Sequence, residues 1–92
     1  MKMSSLSELE LQEMEARVEA AQPGPWKSWI EGRDFDGGSN FIQTGSGAER
    51  GEDIELSGAT VADQDLMAAA RQDIPRLIAE VRRLRALLNQ IK

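Results

Sequence analysis

Six apolar residues near the C-terminus, Ile74, Leu77, Val81, Leu84, Leu88 and Ile91, follow one another at spacings of 3, 4, 3, 4 and 3. That spacing puts all six on one side of an α-helix and assigns them to the a and d positions of about two and a half heptads, the pattern of a helix-pairing seam. With Ile74 at a, Glu80 falls at g and Arg85 at e, the offset at which parallel partners exchange ion pairs. Ile78 and Leu87 widen the stripe on its flanks. Two readings follow: the stripe packs on the protein's own sheet and first helix, or it joins subunits. A chain of 92 residues makes one thin-cored domain, burying roughly 60 to 65% of its unfolded surface. A homo-oligomer is therefore the expectation.

The rest of the chain predicts an α+β domain over residues 1–92. Leu11, Met14, Val18 and Ala21 carry a helical period; Ser5 with Glu8, or Ser7 with Glu10, supplies a capping box, and Pro23-Gly24-Pro25 ends the helix, predicted over 5–21. The period then shortens to about 2. Residues Trp26 to Glu31, Asn40 to Thr44 and Asp53 to Ser57 predict a three-stranded antiparallel meander within 26–57. The helical period returns over 60–91, capped by Thr60, with Asp63 and Asp65 in the first turns. Pro75 disfavours an α conformation at Ile74, so two C-terminal helices are predicted, the second being the seam helix 74–91.

Charge is distributed unevenly. Residues 1–22 hold two basic and five acidic side chains, residues 23–70 three and nine, and residues 71–92 six and two. So acidic a body speaks against nonspecific nucleic-acid binding, which needs a broad basic surface. The chain has no histidine and no cysteine, which removes the usual zinc, iron-sulfur and thiol sites and the commonest proton carrier near neutral pH. No enzyme activity, metal or cofactor is expected. The opening residues turn acidic where a secretion signal needs an apolar run, and no stretch is long and apolar enough to span a membrane, so the expected location is the cytoplasm.

The glycine-rich stretch 32–53 raises several chemistries. Counted from Asp34, an EF-hand loop fails at position 5 (Gly38), position 6 (Ser39) and position 12 (Gly45), and a hairpin turn through Asp36-Gly37-Gly38 explains the composition. Gly45, Gly47 and Gly51 resemble a phosphate loop, but Arg50 stands where a dinucleotide fingerprint has glycine, and a strand follows where a helix is required. Glu31 and Asp34, with Glu52, Asp53 and Glu55, offer an acidic cluster without an acid/base partner in a pocket. Trp26 and Trp29 lie three apart and so face opposite sides of a strand.

The order of these motifs matters more than any one. A helix ending in AAQPGPWK, a hairpin region with GRD and FIQTG, and the segment GATVADQDLMAAARQDIPRLIAEVRRLR resemble small bacteriophage and prophage proteins, including ones similar to the Ea22 family of phage early proteins, over about residues 10–88. The resemblance implies a phage origin rather than an activity; by analogy with small phage proteins, which commonly act by binding, an accessory with anti-defence action in the bacterial host cytoplasm is the expectation. It supplies no residue roles.

Two functions are then expected. In the first, copies of the chain sequester a small anionic ligand such as a nucleotide immune signal, with Arg33 and Arg50 on phosphates, Trp26 or Trp29 stacking a base, and Ser39, Asn40 and Thr44 hydrogen-bonding. In the second, the protein inhibits a host protein through its acidic surface.

Overall fold

The computed structural model describes residues 5–91. It is α+β, in the order α1 (Glu8–Ala20), β1 (Trp26–Trp29), β2 (Phe41–Thr44), a 3-10 turn (Gly47–Glu49) and α2 (Val61–Ile91).

Helix α1 opens on the second of the two capping alternatives. The Ser7 hydroxyl accepts from the Glu10 N–H at 3.0 Å, and the Glu10 carboxylate accepts from the Ser7 N–H at 3.0 Å. Two otherwise orphaned amides are satisfied reciprocally. Ala21 is already extended, and the Pro23-Gly24-Pro25 segment carries the chain into the sheet. The residue α1 buries most completely is Leu11.

Strands β1 and β2 pair antiparallel, with Trp26 opposite Thr44 and Trp29 opposite Phe41. Alternation sends Ser28, Ile42 and Thr44 toward the helices, where Ile42 and Thr44 are buried, and sends Lys27, Trp29, Phe41 and Gln43 to the other face. The sheet ends there: the expected third strand, Asp53 to Ser57, is one bridge between Ile54 and Ile42. Ile42 and Ile54 exchange both backbone bonds, at 2.8 and 2.9 Å. Beyond them the ladder is diverted, because the Thr44 hydroxyl donates to the Glu52 carbonyl at 2.7 Å while the Thr44 carbonyl takes the Gly51 N–H at 2.9 Å. A side chain has taken the place of a ladder bond. The turn also differs from the hairpin read in the sequence: among Asp36, Gly37 and Gly38 only Gly37 has positive φ, and Asp34 organises the loop by accepting from the Ile30 N–H at 2.8 Å.

The two expected C-terminal helices are one. Helix α2 runs unbroken from Val61 to Ile91 with Pro75 inside it. Proline removes the amide that would bond the Arg71 carbonyl, yet packing holds the helix on both sides of that gap. Upstream, Arg71 donates to the Gln22 carbonyl at 2.8 Å; downstream, Ile78 is buried and Arg82 reaches Glu15. The local preference against α at Ile74 is outweighed by tertiary contact.

The start of α2 is capped as the sequence implies, with Thr60 and Asp63 exchanging hydrogen bonds at 3.0 Å each. Its attachment to the sheet rests on two glutamines. Gln72 accepts from the Trp26 N–H (2.8 Å) and donates to the Trp26 carbonyl (3.1 Å), so its amide completes β1 as a neighbouring strand would. Buried Gln64 donates to Ser28 Oγ (2.9 Å) and to the Phe41 carbonyl (3.0 Å). Eight helical residues advance about 12 Å, close to the roughly 10 Å covered from the first to the last residue of a four-residue strand, so one helix can hold both ends of β1. Ala68, between them, lets the backbones approach.

Helix α2 outruns this body. Its 31 residues are about 46 Å long, and the radius of gyration, 16.9 Å, exceeds the roughly 12 Å of a compact domain of this length. Replacing Gln64→Met keeps the volume but strips hydrogen bonds from buried polar groups. The expected loss is about 2 kcal/mol, a fall in melting temperature of roughly 8 to 16 °C in calorimetry at fixed protein concentration.

Candidate functional site

Helix α2 carries two stripes, and the body covers only one. The inner stripe, Ala68, Arg71, Pro75, Ile78, Arg82 and Arg85, repeats at 3, 4, 3, 4, 3 and packs on the sheet and α1. Half of it is arginine. Arg82 pairs with Glu15 at 2.7 Å and Glu8 at 2.8 Å, and Arg85 donates to the Leu6 carbonyl. Glu15, first, and Glu8 hold Arg82 above its ordinary pKa. Arginine suits this contact because its methylenes lie along apolar surface while the guanidinium stays at the edge.

The outer stripe is the apolar one. Ile74, Leu77, Leu84, Leu88 and Ile91 are exposed, with Leu77 at 62% and Ile91 at 81%, and Val81 is half-buried. The stripe also begins earlier than the sequence reading placed it: Leu66, 70% exposed, and Met67 continue it upstream of Pro75. Counting heptads back through the proline puts Met67 at a and Ala70 at d, so the signal was present but hidden by the expected break.

Between α1 and α2 this stripe forms one wall of an apolar groove of about 630 Å³. Leu11, Met14 and Val18 come from α1, Ile74 and Val81 from α2, and Trp26 from β1, with Arg17 and Arg71 also lining it. Apart from the two arginines and Trp26 its lining is aliphatic or thioether. What it can do is bury another apolar surface.

The residues expected to bind an anion are dispersed. Of the seven, only Trp26 lines the groove, and its indole N–H donates to the Gln22 carbonyl at 3.2 Å. Thr44 is fully buried and bonded to Glu52 and Gln22. Trp29 lies on the opposite sheet face, stacked on Phe41 (6.3 Å, 15°) and edge-on to Phe35, with the Lys27 ammonium 4.0 Å from its ring. Asn40 accepts from the Glu31 N–H at 2.8 Å, ordering the loop, and Ser39 is exposed at the tip. Arg50 pairs with Asp53 at 2.7 Å.

Arg33 is the most heavily engaged. Its two terminal nitrogens take Asp65 at 2.8 and 3.1 Å, and its Nε and one terminal nitrogen take Asp34. This clamp ties the loop to the first turns of α2, a role the sequence did not reveal because Asp65 lies 32 residues away. Hydrogen bonds from Arg33 first, then from the Ile30 amide, hold Asp34 below the ordinary carboxylate range; Arg33 first, then Ser28, do the same for Asp65. Arg33 is raised in turn, chiefly by Asp65. Among the described residues no group of three or more acidic, histidine or cysteine side chains is placed to hold a metal ion, and no helix is long and apolar enough to cross a membrane. Residues 1–4 of the opening segment read for a secretion signal lie outside the described residues.

Carboxylates with depressed folded-state pKa values contribute stability that is present above their unfolded pKa, about 4, and is lost as pH falls through the lower folded value. Arg33→Gln is therefore expected to be less stable than the wild-type protein near neutral pH, with the gap closing below about pH 4. Urea titrations across that range, followed by circular dichroism, measure it; a gap independent of pH would contradict the clamp. Compared with models of known protein families, with curated proteins and with solved structures, the chain finds no match.

Proposed function

We propose that this protein is a non-enzymatic, homo-oligomeric binding module whose copies join through the outer stripe of α2 and present an acidic body to a basic protein partner. The observation that carries the reading is the uncovered stripe. From Leu66 to Ile91 its large apolar residues expose on the order of 800 Å², the area each partner contributes to a standard-size interface. Leaving that area in water is unfavourable by roughly 25 cal/mol per Å², and a second copy removes the penalty from both chains.

The acidic body supports a protein partner over a small anion. Glu31, Asp36, Glu49, Glu52 and Glu55 are exposed and make no ion pair among the described residues, whereas Arg33 and Arg50 are both paired. A phosphate would have to displace carboxylates from these arginines while other carboxylates repel it. A basic protein surface meets neither obstacle.

Sedimentation velocity tests self-association. The wild-type chain is expected to sediment above monomer mass at micromolar concentration, and Leu77→Asp with Leu84→Asp to dissociate at least 100-fold more readily while keeping its circular dichroism; a wild-type monomer at several hundred micromolar would reject the proposal. For the partner class, low-salt calorimetry against oligolysine is expected to show binding that high salt abolishes, with no heat from cyclic or linear nucleotides. The reverse pattern would favour the small-ligand function.

A further inference from the structure

Resting on the self-association proposed above, we infer that two copies pair with their α2 helices parallel and in register, each α1 lying on one flank of the seam, so that the α1–α2 groove of each copy is filled by the partner's α2. Three independent observations lead there.

The first is charge. On the heptad frame set by Ile74, the charged g positions of the described helix are both acidic, Asp73 and Glu80, while its charged e positions are both arginine, Arg71 and Arg85. Parallel pairing sets g against e of the other helix, bringing Glu80, which Arg83 of its own chain holds at 2.6 Å, level with Arg85 of the partner copy, whose guanidinium also holds the Leu6 carbonyl. Antiparallel pairing sets g against g and e against e, so like charges would meet on both flanks.

The second is the place of α1. It runs antiparallel to α2, as Arg71 bonding to Gln22 and Arg82 to Glu8 demonstrate, and it covers the e flank, where Ile78 is buried. A parallel two-fold puts the two e flanks on opposite sides of the seam, leaving room for both α1 helices. An antiparallel two-fold with the helices fully overlapped puts both on the same side, where they collide. In the parallel arrangement Arg17, on the groove wall beside Ile74 and Ile78, comes level with Asp73 of the partner copy. Neither side chain has an ion-pair partner within its own described chain.

The third is side-chain shape. The central a positions are Ile74 and Val81 and the central d positions Leu77 and Leu84. Branching at Cβ in a with leucine in d favours two strands in parallel coiled coils.

The chain has no cysteine, so introduced thiols report alone. Met67→Cys and Leu88→Cys, made separately, place a thiol on exposed seam positions about 30 Å apart along α2. A disulfide needs Cβ atoms roughly 4 Å apart. Under mild oxidation in a glutathione buffer each variant is expected to form its own disulfide dimer, and an equimolar mixture to give the mixed dimer at least tenfold more slowly than either. Rapid mixed product with little self-crosslinking would establish antiparallel helices and overturn this inference while leaving self-association standing. A wild-type monomer in sedimentation would remove both. As a second readout, Glu80→Arg is expected to weaken association about tenfold and Glu80→Arg with Arg85→Glu to restore it; failure of the double variant to recover would also count against the parallel register.

Discussion

Two side-chain amides on α2 bonded to the paired strands set the geometry of the whole molecule. A two-stranded sheet has little surface with which to orient a helix, and apolar packing alone would let α2 roll about its axis. Gln64 and Gln72 prevent that, because amides that must meet the Phe41 carbonyl in one case and both the Trp26 N–H and carbonyl in the other tolerate little rotation. Once they point inward, the stripe through Ala68 and Ile78 faces the body, and the Leu77, Leu84 and Leu88 stripe is left facing outward.

The same constraint explains the unusual chemistry of the α1–α2 contact. The side of α2 turned toward α1 is rich in arginine, so the two helices meet through ion pairs and caps as well as through Leu11 and Ile78. Such partly exposed pairs contribute modestly to stability. They do specify which face is which: α1 supplies the acids that Arg82 needs, and the outer stripe offers none. The most apolar face of the helix lies outside the protein's own core, the reverse of the usual division for a helix on a small sheet.

Much of the local structure was legible in the residues. Ser7 with Glu10, Thr60 with Asp63, the Pro-Gly-Pro stop and the opposite facing of Trp26 and Trp29 follow from short-range rules in which the partners lie within four residues. Two of the departures have the opposite character. The third strand shrank to Ile54 because the Thr44 hydroxyl competes for the Glu52 carbonyl, and α2 passed through Pro75 because Arg71, Ile78 and Arg82 are held from outside the helix. Local propensity gave the wrong answer at both places since the deciding contact came from elsewhere in the chain. The candidate site divides likewise. Its seam residues were visible as a spacing, whereas the pairing of Arg33 with Asp65, which ties the loop to α2, joins residues far apart in sequence.

The periodicity of its apolar residues, the placement of its caps and breakers and the segregation of its charges belong to the sequence by itself, since each depends on neighbours a few positions away; they determine a helix, a short sheet and a helix bearing a heptad stripe. Which side of that last helix is buried was decided only by the tertiary structure, because both stripes are spaced 3 and 4 and only the meeting of Gln64 and Gln72 with β1 tells them apart. A spacing can announce that a face will be covered. What covers it is settled by where the polar groups of the rest of the fold lie.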